Sequence, residues 1–303
     1  MLCRRCKGEF PDGSAEHIIP DGLGGKSTTN RVFCAECNVA LSQLDKALIE
    51  QFDFERNLLE IPSDRGTPPR FLAKDKEGNA VRVEPGGKPV ALRPQMTERT
   101  VDGRKTVEYK VPVHIWPLFK KHLEKKYGVD TSSRGPRPAA DRPTLVFDVA
   151  MGGPEAHRAV AKIAYDLLCD HMARTGLETD LSEIESYLFK GTHTAELSML
   201  DGRPEIVESV ADFSNIIAIH INPALHNIVA SITLLGSYSY SVLLSRNYSG
   251  DSACTLRMTN APIDRASPDR FENLPLERPI STDWLLSRPY WPCLLYTSDA
   301  GDE

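Results

Sequence analysis

The chain has 303 residues, which is long enough for two domains or three small ones. With 41% hydrophobic and 26% charged residues, it is expected to fold around an ordinary apolar core, and this composition argues against disorder. The formal net charge of −6 argues against a protein that coats nucleic acid through bulk positive charge, although it is compatible with a local basic groove.

Sequence features also bear on the compartment. The longest apolar runs, such as SNIIAIHI, have the length of strands and fall short of a membrane span. The opening MLCRRCKGEF lacks the apolar stretch of a secretion signal. Seven cysteines, four of them in two C-x-x-C pairs, favour metal ligation in a reducing cytosol over disulfides. We therefore expect a cytoplasmic protein without a membrane anchor.

The first segment, residues 1–55, carries most of the motifs. The sequence SAEHIIP predicts a short strand, and CAECNVALSQLDKALIEQF predicts a helix from about Ala35 to Gln51 whose first turn holds the second cysteine pair. The apolar positions at roughly helical spacing in this segment are Val39, Leu41, Leu44, Leu48 and Phe52.

The second segment, residues 56–142, is predicted to be rich in β-hairpins. Turn residues at 61–70 mark its start, and short alternating runs follow, separated by Glu-Gly-Asn, Gly-Gly and Asp-Gly turns. A helix is expected from Trp116 to Gly128, followed by a loop or linker over 131–143. The stretch from Arg99 to Arg142 is the most basic part of the chain, and it fits either a nucleic-acid surface or a solvated helix face.

The third segment, residues 143–292, reads as a mixed α+β domain. TLVFDVA predicts a strand, GPEAHRAVAKIAYDLLCDHMAR predicts a long helix, and two apolar strand-like runs lie between 215 and 246. The helix face is predicted to comprise Ala159, Ile163, Ala164, Leu167 and Leu168. The final residues, 293–303, resemble the translated read-through of a sequencing adapter, so the natural chain is expected to be cut short near Pro292.

Two cysteine pairs predict a metal site. Cys3 and Cys6 are followed by 27 residues and then by Cys34 and Cys37. Two C-x-x-C knuckles can supply four thiolates in a tetrahedron, the closed arrangement of structural zinc. Unrelated buried cysteines and an iron–sulfur cluster are the alternatives, and the paired knuckles fit zinc better. A segment of this size buries little apolar surface, so a metal would stabilise it.

The residues between the cysteine pairs suggest chemistry beyond zinc binding. A lone histidine in a loop, such as His17, is commonly a surface or capping residue, but here it follows Glu16 in the predicted strand. Asn38 directly follows the last cysteine, in the first turn of the predicted helix. Glu16 and Asn38 offer hard oxygen ligands, and this geometry could let them share a magnesium-like cation.

The motifs CxxC, EHIIP, LGGK, N..FCAECN and S.LDKAL, in this order and spacing, resemble the ββα-metal module of HNH endonucleases, in the subgroup with a four-cysteine zinc site. The resemblance covers residues 3 to about 48. It implies an α+β protein in which an N-terminal zinc-stapled ββα-metal (treble-clef-like) module is followed by a larger mixed α/β domain. Weaker resemblance to the C-terminal region of some bacterial members continues at AHRAVAKIAYDLL and ITLLGSYSYSVLLS.

The resemblance also implies roles for single residues. His17 matches the general base, Glu16 and Asn38 match the ligands of a catalytic Mg²⁺ or Mn²⁺, and Asn30 matches the asparagine that aims the histidine ring. The cysteines match the structural zinc site. Lys26 and Arg31 are candidates for phosphate contacts, while the Gly-Gly-Lys sequence alone fits a plain turn with a solvated lysine equally well.

The expected activity is metal-dependent hydrolysis of DNA phosphodiester bonds. Restriction, phage defence or a mobile element is the setting that the resemblance suggests. The alternative is a zinc-stabilised module that binds nucleic acid without cutting it, and a third hypothesis is a zinc domain for protein contacts. DNA is the expected partner, and the sequence leaves an oligomer or a protein partner open.

Overall fold

The structure is a computed structural model of the whole chain. Its described residues are 1–11, 14–61, 66–101, 104–111, 115–128, 144–148, 151–191, 198–200, 213–264 and 266–277. The predicted loop at 131–143 and the adapter-like tail at 293–303 lie outside these ranges, as does part of the basic stretch.

The chain divides into two compact units. One unit combines residues 1–68 with residues 150–303, and the other spans residues 69–149. The predicted α+β class is confirmed, because helices and sheets both contribute to the described structure. The first unit places the motif-bearing segment and the C-terminal segment in one body, and its apolar core is continuous through both.

The motif-bearing segment begins with small β elements and ends in two helices. Leu2 and Glu9 form an isolated antiparallel bridge around the first cysteine pair. The elements that follow are β1 (Glu16–His17), a 3-10 turn (Asp21–Leu23), β2 (Thr28–Thr29), α1 (Ala35–Gln51) and α2 (Asp53–Leu58). Strands β1 and β2 pair antiparallel, so the observed order is ββα.

Helix α1 has the predicted bounds, and one of the apolar residues noted at helical spacing, Val39, is not part of its buried face. Leu41, Leu44 and Leu48 are buried at i, i+3 and i+7, as an amphipathic helix requires. Val39, in contrast, is 71% exposed. At 100° per residue, Val39 lies about 200° around the helix from Leu41, so it faces away from the core.

The C-terminal part of the first unit packs two helices against a sheet. Helix α4 (Pro154–Thr175) contacts α1, helix α5 (Ser182–Lys190) and strands of the sheet. The predicted apolar face of α4 is confirmed: Ala159, Ile163, Ala164, Leu167 and Leu168 are all buried. Burial continues around the helix, however, and includes the charged residues Lys162, Asp166 and Asp170.

The sheet beside α4 has six strands in the described part of the chain, all antiparallel, in the order β14-β13-β10-β11-β12-β9. The second apolar run predicted by the sequence forms two strands, β11 and β12, because a turn at Leu235–Ser237 divides it. The strands are β9 (Ser198–Leu200), β10 (Asn215–Asn222), β11 (Asn227–Leu234), β12 (Tyr238–Ser245), β13 (Cys254–Asn260) and β14 (Arg270–Pro275).

The second unit follows the hairpin pattern of its sequence. A four-stranded antiparallel sheet has the order β5-β4-β3-β8, and β6 pairs with β7 in a separate hairpin. Helix α3 (Trp116–Tyr127) ends at Gly128, as predicted. The strands are β3 (Phe71–Asp75), β4 (Ala80–Glu84), β5 (Lys88–Ala91), β6 (Gln95–Val101), β7 (Arg104–Lys110) and β8 (Leu145–Val146). Among the described residues, none of the helices combines the length and the apolar character that crossing a membrane needs.

Candidate active site and metal centre

The four cysteines of the two pairs meet in space. The ligand atoms of Cys3, Cys6, Cys34 and Cys37 all lie within 4.8 Å of one another, and the Sγ atoms of Cys6 and Cys34 are 3.8 Å apart. Four sulfurs at about 2.3 Å from a tetrahedral zinc would be separated by about 3.8 Å. All four thiols are free of disulfides. The donor set and its spacing therefore fit a structural zinc.

The protein environment shifts the pKa values of two of these thiols, Cys3 and Cys37, in opposite directions. Burial raises the pKa of Cys3, but backbone N–H groups, including that of Cys34, stabilise its thiolate and bring the pKa down to about 6. Burial and the neighbouring thiols raise the pKa of Cys37 to about 12. A zinc ion would take all four as thiolates, so its binding is coupled to proton release and to folding.

The β1–β2 pair separates two of the candidate residues onto opposite faces. Glu16 is paired with Thr29, and His17 with Thr28. Directly opposed residues of antiparallel strands lie on the same face, and neighbours along a strand lie on opposite faces. Glu16 and Thr29 are buried, whereas Thr28 is exposed and His17 is half-buried. One face is thus closed and carries Glu16, and the other is open and carries His17.

The closed face packs against a polar stripe of α4 formed by Lys162, Asp166 and Asp170. The Lys162 ammonium donates to Glu16 Oε1, and Thr29 Oγ1 donates to Asp170 Oδ1 at 2.8 Å. Because the stripe residues are spaced by four, they lie on one side of the helix. Two polar contacts therefore join the β1–β2 pair to α4.

Lys162 is the centre of a buried ion cluster, which we define as Lys162, Glu16, Asp45 and Asp166. Its Nζ lies 3.2 Å from both carboxylate oxygens of Asp45 in α1 and 3.3 Å from Asp166 Oδ2. The side chain of Lys162 is 2% exposed, and that of Asp166 is fully buried. Neither carboxylate oxygen of Asp166 makes a hydrogen bond. One ammonium therefore faces three carboxylates, of which Asp166 is fully buried while Glu16 and Asp45 keep 11% and 16% of their side chains exposed.

Burial and charge act in opposite directions on this ion cluster. Burial lowers the pKa of Lys162, but the carboxylates of Asp166, Asp45 and Glu16 outweigh it and raise that pKa. Burial raises the pKa of Asp166 to about 8 and that of Asp45 to about 6, although Lys162 lowers both. At neutral pH the ammonium is charged, and Asp166 is the carboxyl group that most readily holds a proton.

The two candidate asparagines lie in different environments. Asn38 is buried in the first turn of α1, and its Nδ2 donates to Ser14 Oγ at 3.0 Å. That bond uses the amide nitrogen and leaves the amide oxygen, the atom that binds cations, out of the contact. Asn30 is exposed directly after β2, and within the described residues no hydrogen bond joins it to His17.

The catalytic cation expected from the resemblance needs oxygen ligands. Glu16 and Asn38 provide a carboxylate and an amide oxygen, which are donor types that Mg²⁺ accepts. These donors fit the cation chemically, but the Glu16 carboxylate is shared with Lys162. Among the described residues, the four cysteines form the one group of three or more His, Cys, Asp and Glu side chains close enough to hold a metal.

The Gly-Gly-Lys turn contacts the C-terminal sheet. Lys26 Nζ donates to the backbone carbonyls of Ala261, Asp264 and Ser267, at 3.2, 2.6 and 2.6 Å. These three acceptors match the three hydrogens of an ammonium group. Lys26 therefore caps the loop that follows β13.

The neighbouring backbone is held by two side chains from the sheet and by one from the loop directly before β14. Asn215 Nδ2 donates to the Leu23 carbonyl at 2.8 Å, and Asn260 Nδ2 donates to the Gly24 carbonyl at 3.0 Å. The backbone N–H of Ser27 donates to Asp269 Oδ2 at 2.8 Å. The turn between β1 and β2 is thus docked through its main chain.

Arg31 is the more accessible of the two candidate phosphate contacts. Its side chain is 40% exposed, and its Nη1 lies 3.7 Å from Asp170 Oδ1. Arg174 Nε also contacts Asp170, at 2.7 Å, and its side chain is 59% exposed. Two partly solvated guanidinium groups therefore lie beside one carboxylate at the end of β2.

The buried ion cluster contains three residues, Lys162, Asp45 and Asp166, that were not among the predicted site residues. A signal was present, since Lys162, Asp166 and Asp170 recur every four residues in a helix that is otherwise apolar on several faces. Charged residues buried in a helix require partners. The sequence did not show that Lys162 has partners in the motif-bearing segment, Glu16 at 146 residues and Asp45 at 117 residues earlier in the chain.

Comparisons with known proteins agree with the geometry of the motif-bearing segment. A family model described as HNH endonuclease matches residues 3–53. This range includes the four cysteines, the β1–β2 pair and α1. Most of the chain lies outside the match. No curated protein and no solved structure matches the chain.

Proposed function

We propose that this protein hydrolyses phosphodiester bonds of DNA, with His17 as the general base. The observation that carries the proposal is the position of His17 on the open face of the β1–β2 pair, opposite the face that anchors the pair to α4. The match of residues 3–53 to HNH endonucleases supports a nuclease activity in general. The choice of DNA as the substrate and the role of each residue go beyond this match and are part of the proposal.

In the proposed reaction, the imidazole of His17 accepts a proton from a water molecule whose oxygen attacks the phosphorus in line. The bond from phosphorus to the leaving 3′ oxygen breaks as the new bond forms. A neutral imidazole suits this role near neutral pH. Asn30, at the end of β2, is proposed to hold the loop that faces the ring, and Arg31 to contact a neighbouring phosphate.

Glu16 and Asn38 are the residues that would hold a Mg²⁺ or Mn²⁺ ion. Because Glu16 and His17 lie on opposite faces of β1, the ion and the base would have to meet on one phosphate around the end of this two-residue strand. When bound, such an ion neutralises charge on the phosphoryl oxygens and on the leaving oxygen. The four cysteines would hold zinc, which fixes the first turn of α1 and therefore the position of Asn38.

Cleavage of supercoiled plasmid tests the proposal. Zinc-loaded protein is incubated with Mg²⁺ or Mn²⁺, and the His17→Ala variant is compared with His122→Ala, which removes an exposed histidine of α3. We expect His17→Ala to lose at least about 100-fold in rate, since general bases contribute that much or more, and His122→Ala to retain the rate. Equal rates for His17→Ala and the wild type would contradict the assignment of the base.

The competing function is nucleic-acid binding without cleavage. The observation that favours it is the ion pair between Glu16 and Lys162, because it neutralises the proposed cation ligand within the protein. A folded, zinc-loaded protein that binds DNA but leaves plasmid intact at all Mg²⁺ and Mn²⁺ concentrations would support this function over the nuclease.

A further inference from the structure

We infer that Lys162 competes with a divalent cation for the Glu16 carboxylate, so that helix α4 sets how tightly the site binds the cation. This inference rests on the proposed function, which supplies the divalent cation. It adds Lys162, a residue outside the segment that matches HNH endonucleases. It concerns the affinity of the site, and it leaves the role of His17 unchanged.

The Lys162 ammonium and a divalent ion exclude each other at the Glu16 carboxylate. The Lys162 ammonium binds Glu16 Oε1, and the Glu16 side chain is 11% exposed. A divalent ion at this carboxylate would lie next to an ammonium in a space of low dielectric, where like charges repel strongly. Binding of the ion therefore requires Lys162 and Glu16 to separate.

Lys162 has other partners available when it leaves Glu16. Asp45 already lies 3.2 Å from its Nζ, and Asp166 lies 3.3 Å away without using either oxygen in a hydrogen bond. A buried charge that lost its last partner would be strongly destabilising. Lys162 avoids that cost, because two carboxylates remain beside it.

The charge balance of the ion cluster also favours binding of a second cation. Three carboxylates share one ammonium, so full ionisation would leave an uncompensated negative charge in the interior. Uncompensated buried charge is unfavourable, and either protons or a second cation can offset it. A divalent ion at Glu16 would offset it while Lys162 stays with Asp45 and Asp166.

The consequence is a reduced apparent affinity for the cation. When the site can bind the cation in only a fraction of the molecules, the apparent affinity equals the intrinsic affinity multiplied by that fraction. If Lys162 holds Glu16 in about nine molecules of ten, the apparent Kd is about tenfold weaker than the intrinsic value. Removing the ammonium should recover this factor.

Mn²⁺ titration followed by electron paramagnetic resonance tests the inference in the zinc-loaded 303-residue protein. We expect Lys162→Gln to bind Mn²⁺ about tenfold more tightly than the wild type. Lys46→Gln, which removes an exposed lysine adjacent to Asp45, should leave the Kd unchanged. Glu16→Gln should abolish the binding. Because Lys162→Gln leaves carboxylates unpaired, Lys162→Gln/Asp166→Asn is measured as well, and circular dichroism and zinc content report folding.

The wild type provides a test without substitutions. A crystal structure with Mn²⁺ should show the anomalous peak at Glu16 and the Lys162 ammonium withdrawn toward Asp45 and Asp166. A peak at Glu16 with the Glu16–Lys162 pair intact, or an unchanged Kd in a folded Lys162 variant, would overturn the inference and leave the cation ligand in place. Absence of Glu16-dependent Mn²⁺ binding in every variant would overturn both the inference and that ligand, whereas the nuclease is tested separately by plasmid cleavage.

Discussion

Lys26 Nζ lies 2.6 Å from the backbone carbonyl oxygen of Ser267, 241 residues further along the chain. Together with its bonds to the carbonyls of Ala261 and Asp264, this contact joins the turn between β1 and β2 to the loop after β13. The Gly-Gly-Lys sequence therefore has a structural explanation that does not require phosphate. It is also a polar link between the motif-bearing segment and the C-terminal segment, in addition to the apolar core that they share.

The first prediction concerns Lys26. The variant Lys26→Gln should lower the free energy of unfolding by about 2 kcal/mol, because hydrogen bonds from a charged donor contribute about 1.5–3 kcal/mol and their carbonyl acceptors are left unpaired. Denaturant unfolding of the zinc-loaded protein measures this change. The exposed Lys46→Gln serves as the control and should alter stability by less than about 0.5 kcal/mol.

The second prediction compares Lys26 with Arg31 in DNA binding. Arg31→Gln should weaken binding to duplex DNA and reduce the slope of log K against log salt by about 1, because one phosphate contact releases about one counterion. Lys26→Gln should leave the slope unchanged, since its ammonium is already bonded to three carbonyls. Fluorescence anisotropy at several salt concentrations measures both. A reduced slope for Lys26→Gln would place Lys26 on the DNA instead.

The third prediction concerns Gly24, the first glycine of the Gly-Gly-Lys turn. Gly24 has φ +81° and Gly78 has φ +80°, so alanine is strained equally by the backbone at both. An added Cβ at Gly24 would lie 2.4 Å from Pro262 Cβ, whereas none of the described atoms lies within 4 Å of one at Gly78. Gly78→Ala should cost about 1–2 kcal/mol, and Gly24→Ala clearly more.

Thermal unfolding of the two alanine variants measures the difference. The excess for Gly24→Ala reports how tightly the turn is docked on the sheet, because the backbone strain is common to both. Gly25→Ala should be the most damaging, since its Cβ would lie 1.8 Å from the Ile19 carbonyl oxygen. Equal destabilisation at Gly24 and Gly78 would show that the turn adapts without cost.

The fourth prediction concerns the zinc centre. Cys37→Ser should release zinc and destabilise the whole first unit, because α1 belongs to the same apolar core as α4 and the sheet. Cys169→Ala removes a buried thiol that lies outside the cysteine cluster, and it should keep one zinc per chain. Zinc content by mass spectrometry and circular dichroism after chelation test both. Retention of one zinc by Cys37→Ser would contradict the assignment.

The sequence predicted the elements whose signals are local. The bounds of α1 follow from Leu41, Leu44 and Leu48 at helical spacing and from the absence of glycine and proline. The hairpins of the second unit follow from their turn residues. The zinc ligands follow from two short spacings, because each knuckle is a local structure.

The contacts of the candidate site are different, since they join distant segments. Neither Glu16 nor Lys162 carries a sign of the other in its local pattern, and 146 residues separate them. The same holds for Lys26 and the carbonyls near Ser267. Tertiary packing selects these partners, so a single sequence could indicate the residue types of the site but not which of them are already paired within the protein.

The last prediction concerns the dependence of stability on pH. The folded-state pKa of Asp166 is raised to about 8 by burial, well above its ordinary value of 3.8. Between these values the folded protein holds a proton that the unfolded chain has released, so stability falls as pH rises through the window from about 4 to about 8. Each pH unit corresponds to about 1.4 kcal/mol at most. Asp45 has a folded pKa of about 6, so its own stabilising contribution is lost mostly as pH rises from about 4 to about 6, and little of that loss remains above pH 6.

Denaturant unfolding of zinc-loaded protein at pH 6 and pH 8 isolates Asp166 from Asp45. We expect the wild type to lose about 2 kcal/mol more than Asp166→Asn across this interval, because asparagine stays neutral in both states. The zinc site is the same in both proteins, so its own pH dependence cancels in the difference. If the two proteins lose equal stability, Asp166 is ionised in the fold at both pH values, and the buried ion cluster then carries more negative charge than one lysine offsets.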